Sequence, residues 1–254
     1  MSEPERVVLV RGLARAAGHW HDFDAGLRAR WPSASFERFD LAGNGDRFRE
    51  RSPLDVRALA DDLHARVLAR DPRPPLLIAI SLGAMVGLAW WLRWPSSLRG
   101  LVGLNTSAGG VCPPWWRLQP RAALATFAAM HERDAVAREL HILALTSRVR
   151  AGDRALAAAH ARLHAREPIR AANVVRQMIA AARFRVQPMS TRARPPLLLL
   201  AARGDRMVDP RCTPALARAL GATHFLHGDA GHDLTLDDPA WCTASIAAWF
   251  AAQS

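Results

Sequence analysis

Six short apolar runs punctuate the chain: RVVLVRGL from Arg6, ASFERFDL from Ala34, PLLIAI from Pro75, LRGLVGLN from Leu98, PPLLLLAA from Pro195 and ATHFLHG from Ala222. Most are continuous rather than alternating, the pattern of strands covered on both faces of a parallel sheet. Between them stand stretches of helical character, among them SPLDVRALADDLHARVLAR from Ser52 and TPALARAL from Thr213. Strands that alternate with helices predict a doubly wound α/β fold, mainly parallel, with helices on both faces.

The alternation stops between Cys112 and Arg194. That stretch shows no convincing strand and reads as three or four helices, for example RAALATFAAMHERDAVARELHILALT and GDRALAAAHARLHAREP. An all-helical insertion between two strands lies most simply as a cap over the strands' carboxyl ends, where ligands bind in open α/β sheets. The predicted organisation is a core of residues 1–111 and 195–254 with a helical cap over 112–194.

Composition narrows this picture. At 254 residues, half of them hydrophobic, the chain can bury one substantial core. All 34 basic residues are arginine and the net charge is +11. The distribution is uneven: from Cys112 to Pro195 there are 15 arginines against 5 acids, and elsewhere 19 against 18. The surplus thus belongs to the predicted cap. No nucleic-acid-binding motif accompanies the charge, so nucleic acid is not the expected partner. No apolar run approaches the roughly 18 residues of a membrane span, and the acidic start MSEPERVVLV is unlike a secretory signal. The expectation is a soluble cytoplasmic protein. Cys112, Cys212 and Cys242 read as free thiols, and the ten histidines show no metal-ligand spacing, so neither a metal nor a cofactor is expected.

The stretch LLIAISLGAMVGLAWW, residues 76–91, carries the chemistry. An apolar run of β type ends at Ser81, and helix-forming residues follow. A nucleophile on a strand-to-helix elbow usually stands in G-x-S-x-G, because the residues two before and two after must be small where strand and helix nearly touch. Here the pattern is Ala79-Ile80-Ser81-Leu82-Gly83, in which alanine still qualifies. The same serine also suits an ordinary helix N-cap.

A nucleophilic serine needs a histidine base and a carboxylate to orient it, each in a loop after a later strand. LLLLAARGDRMVDP places Asp205 beyond a buried strand, and HFLHGDAGHDLTLDDP places His232 in a Gly-bounded loop beyond the last one. Nearby rivals have other readings. Asp209 and Asp238 each precede a proline at a helix start, and His227 suits a satisfied core position.

In order and spacing, VVLVRGLARAAGHW, DLAGNGD, IAISLGAMVG, ARGDRMVDP and GDAGHDLTLDDP resemble the α/β-hydrolase superfamily over nearly the whole chain. The nearest general likeness is to its cap-bearing serine esterases, of the pimeloyl carrier-protein methyl esterase type. The resemblance implies a catalytic triad of Ser81, Asp205 and His232, with an oxyanion hole from the backbone N–H groups of Leu13 and Leu82. Arg11 stands where the superfamily usually has histidine, as a loop brace or a holder of a substrate carboxylate. VVLV begins at Val7, leaving no room for the hairpin that often opens this fold, so about six strands are expected. The implied reaction is hydrolysis of a small-molecule ester or thioester through an acyl-serine, without a cofactor. Candidate substrate-binding positions are Arg11, Trp20, Trp115, Trp116 and Met130. The basic cap would suit an anionic partner such as acyl carrier protein or a coenzyme A thioester, or is simply a solvated face. The competing reading is a non-catalytic receptor or interaction scaffold on the same fold.

Overall fold

The computed structural model describes residues 3–188 and 194–253. Its six strands are β1 (Arg6–Val10), β2 (Ser35–Phe39), β3 (Leu76–Ile80), β4 (Gly100–Leu104), β5 (Leu197–Ala202) and β6 (Thr223–His227). They pair in parallel throughout, in the order β2-β1-β3-β4-β5-β6. This is the mainly parallel α/β sheet expected from the pattern of apolar runs, in the α/β-hydrolase form that the resemblance implies. The four inner strands are buried at every position, which is why their sequences run apolar without alternation.

Alternate residues nevertheless feed two separate cores. Val8, Val10, Leu77 and Ala79 face α2 (Val56–Arg70), α3 (Leu82–Arg93) and α9 (Cys212–Leu220). Val7, Leu9, Leu76 and Ile78 face α1 (Phe23–Arg30) and α11 (Pro239–Ala251), which the short helix α10 (Leu234–Asp237) precedes. The split follows from the two-residue period of a strand. Asp238 caps α11 by accepting the Trp241 N–H at 2.9 Å, with Pro239 at the first helical position.

Between β4 and β5 the described residues form five helices: α4 (Pro114–Arg117), α5 (Pro120–His131), α6 (Ala135–Thr146), α7 (Arg154–Arg166) and α8 (Ala171–Arg183). The long run RAALATFAAMHERDAVARELHILALT is two of them, α5 and α6. Asp134 starts the second by accepting the Ala137 N–H at 2.6 Å. A single parallel bridge, Gly109 to Arg185, ties the two ends of this helical connection together. Residues 189–193, near its predicted end, lie outside the described residues. Among the described residues no helix is long and apolar enough to cross a membrane.

Candidate active site

Ser81 sits between the last residue of β3 and the first of α3. Its φ of 56° and ψ of −119° place it in a region L-residues rarely adopt, a conformation that costs roughly 1–3 kcal/mol and persists only where the surroundings enforce it. Here they do. Its N–H donates to Leu104 O at 2.8 Å, and its carbonyl accepts from Met85 N–H at 3.1 Å and from Thr106 Oγ1 at 3.0 Å. A Cβ on Gly83 would stand 2.5 Å from Arg11 O and 2.7 Å from Val10 O, so no larger residue fits there. Ala79 is tolerated two positions before the serine because its register partner on β4 is Gly103, which brings no side chain to that face.

The loop after β1 passes directly beneath this turn. A Cβ on Gly12 would lie 3.0 Å from both Ile80 O and Ser81 Cβ. Neither Leu13 N–H nor Leu82 N–H has an acceptor among the described residues. For Leu82 this follows from its place in the first turn of α3, where N–H groups have no intrahelical partner.

His232 stands in the loop after β6, buried, with Nε2 3.1 Å from Ser81 Oγ and Nδ1 2.8 Å from Asp205 Oδ2. Asp205 follows β5 and is fully engaged. Oδ1 accepts the N–H groups of Met207 at 2.8 Å and Val208 at 3.0 Å, and Oδ2 also accepts from Asn105 Nδ2 at 2.9 Å. Burial opposes the charged form of His232, but the charge and hydrogen bond of Asp205 outweigh it and hold the imidazole pKa above its ordinary 6.5. The loop carrying His232 is pinned to the end of α6: Asp233 N–H donates to Thr146 O at 2.7 Å. The rival His227 is occupied, Nε2 lying 3.1 Å from Asp238 Oδ2 while Nδ1 accepts the Ala230 N–H at 2.9 Å.

Ser81, His232 and Leu13 open into a cavity of about 250 Å³ roofed by α5, α6 and α8. Met130 lines it, and so does Arg11, whose guanidinium is paired with Asp233. The three tryptophans proposed for substrate binding do not reach it. Trp20 is buried in the core beneath Arg11 and beside Phe23, because a ring that large is most stable away from water. Trp115 points outward, and Trp116 packs under the guanidinium of Arg211.

Several residues of the site have no signature of their own in the chain. Asn105, just after β4, is the second side chain, beside His232, on the Asp205 carboxylate, and its one sequence cue is a polar residue closing the apolar run LRGLVGLN. Asp233 is adjacent to His232, yet its partner Arg11 lies 222 positions away. Arg15 Nη1 donates to Glu139 Oε2 at 2.8 Å, joining the loop after β1 to α6 across 124 positions.

A model of the alpha/beta hydrolase family matches residues 7–244. No curated protein matches the chain in sequence. Among solved structures, the chain is similar to a candidate non-heme bromoperoxidase from Mycobacterium tuberculosis, with TM-score 0.78 and 18% identity over 100% of this chain and 94% of that one. It is also similar to the enol-lactonase of Burkholderia xenovorans, with TM-score 0.77 and 16% identity over 98% and 92% of the two chains. A third likeness is to a type II thioesterase from the borrelidin biosynthetic cluster, with TM-score 0.68 and 21% identity over 96% and 92%. At these identities the likeness establishes the fold.

Proposed function

From the premise that the chain belongs to the alpha/beta hydrolase family, we propose that it is a serine hydrolase that cleaves a carboxylic ester or thioester through an acyl-serine. The observation that carries this reading is the unbroken hydrogen-bonded line from Ser81 Oγ through His232 to Asp205. The mixed activities of the similar structures, a thioesterase and a lactonase among them, accord with acyl chemistry.

In this mechanism His232 Nε2 takes the hydroxyl proton as Ser81 Oγ attacks the substrate carbonyl carbon. Asp205, already accepting three other hydrogen bonds, orients the imidazole and steadies the imidazolium formed. The oxyanion is held by the N–H groups of Leu13 and Leu82, neither of which has an acceptor among the described residues, and each such donor is worth about 3–4 kcal/mol of barrier. His232 returns its proton to the leaving alcohol or thiol, then activates the water that releases the acid. The strain at Ser81 serves this chemistry, because the sharp turn exposes Oγ above the sheet while α3 begins with Leu82 N–H at its side.

The excess of arginine between Cys112 and Pro195 supports an acyl group delivered on an anionic carrier such as acyl carrier protein or coenzyme A. Turnover of such a thioester should fall with added salt, and less steeply in Arg121→Glu; a flat salt response rules the carrier out.

The decisive test is labelling by a fluorophosphonate probe together with hydrolysis of short-chain p-nitrophenyl esters. Wild type should label at Ser81 and turn the esters over, and Ser81→Ala should do neither. If wild type and Ser81→Ala behave alike, the fold serves as a receptor or scaffold and the hydrolase reading is wrong.

A further inference from the structure

The cavity that opens at Ser81 has three arginines and two acids in its lining. Arg11 is closed by Asp233, and Arg15 by Glu139, whose carboxylate also lies 3.5 Å from His160 Nδ1. Both acids are thereby committed. The side chain of Arg138 is left half-buried with neither an ion pair nor a hydrogen bond among the described residues.

Its position is not that of a solvated helix back. Arg138, His141, Ile142 and Leu145 of α6 all line the cavity, and this i, i+3, i+4, i+7 spacing is one face of a helix. Most of the remaining wall is apolar, including Met130, Ile169, Val174 and Met207. His164 adds no second charge, because burial and then the nearby Arg138 hold its pKa below the ordinary 6.5. Of the three arginines in the cavity lining, Arg138 is thus the one whose side chain has no charge partner among the described residues. A guanidinium so placed matches a carboxylate in charge and in its two-pronged geometry. In a mainly apolar cavity, such a lone polar group is what fixes a ligand's orientation.

We propose that this cavity takes a small ester bearing a second, free carboxylate, such as the monoester of a dicarboxylic acid, and that Arg138 is the residue that binds that carboxylate. The inference rests on the serine hydrolase reading of the same cavity and adds the substrate class. It differs from steering by the general charge of the helical connection, because it assigns recognition to one residue.

The test compares kcat/KM for chain-matched pairs, monoethyl glutarate against ethyl pentanoate and monoethyl adipate against ethyl hexanoate, by titration of released acid. Wild type should favour the carboxylate-bearing ester of a pair at least tenfold. Arg138→Gln should bring that ratio close to one, Arg138→Lys should restore part of it, and Arg121→Gln, which removes an exposed arginine of α5, should leave it intact. A wild-type ratio near one overturns the proposal, as does a ratio that survives Arg138→Gln or falls equally in Arg121→Gln. A calorimetric titration of Ser81→Ala with monoethyl adipate separates this from the underlying reading. Binding weakened tenfold or more by adding Arg138→Gln supports the carboxylate site even if wild type hydrolyses no ester. Hydrolysis of esters with no dependence on Arg138 in either experiment leaves the hydrolase standing and sinks the site.

Discussion

Arg11 closes a buried ion pair with Asp233, tying the loop that carries Leu13 N–H to the loop that carries His232. Arg11 Nη1 donates to Asp233 Oδ1 at 3.2 Å and to Thr235 Oγ1 at 3.2 Å, while Nη2 donates to Asp233 Oδ2. The guanidinium stands 5.0 Å over the Trp20 ring. Burial alone would raise the Asp233 carboxyl, but Arg11 holds it at about 2, so the carboxylate is charged at neutral pH. The departure from the superfamily's usual histidine is thus filled by a brace.

Breaking that brace from either side strands a buried charge, at a cost of about 3–5 kcal/mol. Arg11→Gln and Asp233→Asn should each lower the midpoint of urea unfolding and reduce kcat. The double variant should be more stable than the sum of the two losses implies, because neither charge is then left alone. Additive losses would show that the two groups do not act as a pair.

The same two charges oppose one another at His232, Asp233 raising its pKa and Arg11 lowering it. As the base of the proposed mechanism, His232 must be neutral, so kcat/KM should fall on acidification with a midpoint above 6.5. That midpoint should move down in Asp233→Asn and up in Arg11→Gln. A pH–rate profile of the three proteins checks the signs, and shifts in one common direction would contradict the geometry.

Asp205→Asn should lower kcat about 10⁴-fold, since the amide holds His232 in the wrong tautomer. Asn105→Ala removes one donor from Asp205 and should cost far less, on the order of tenfold. Single-turnover kinetics of both variants on one ester sets the ranking.

Ser81→Gly should be inactive yet more stable than Ser81→Ala. Glycine adopts a φ of 56° freely, whereas alanine keeps the roughly 1–3 kcal/mol of strain. A thermal melt of the two inactive proteins decides this. Equal midpoints would mean the turn is unstrained.

Burial would raise the Glu139 carboxyl, but the charge of Arg15 dominates and holds it down to about 2, below its ordinary 4.5. A depressed carboxyl stabilises the fold above its unfolded pKa, and that contribution is lost as pH falls from about 4.5 through about 2. Glu139→Gln should therefore be less stable than wild type by about 3 kcal/mol at pH 7. The difference should shrink toward pH 3. Denaturant melts at the two pH values measure it, and a gap that widens on acidification would reverse the assignment.

The sheet was legible because each inner strand is buried on both sides, so RVVLV, LLIAI, GLVGL and LLLLAA carry their burial in their own composition. Ser81, Asp205 and His232 were legible for a related reason. Each must follow a strand's carboxyl end, and strand ends can be read from where an apolar run stops. The break between α5 and α6 was not, because HERD is helix-compatible locally and only the capping of Asp134 divides it.

The sequence by itself determined the alternation of strands and helices, the order of the serine, aspartate and histidine, and the concentration of arginine in one segment. These are properties of local composition. Only the tertiary structure decided which arginines are neutralised, because ion pairing depends on distances between groups 124 and 222 positions apart. It buried Trp20 and left Trp115 and Trp116 away from the cavity. By committing Glu139 to Arg15 and Asp233 to Arg11, it left Arg138 as the unpaired one of the three arginines lining the cavity, among the described residues.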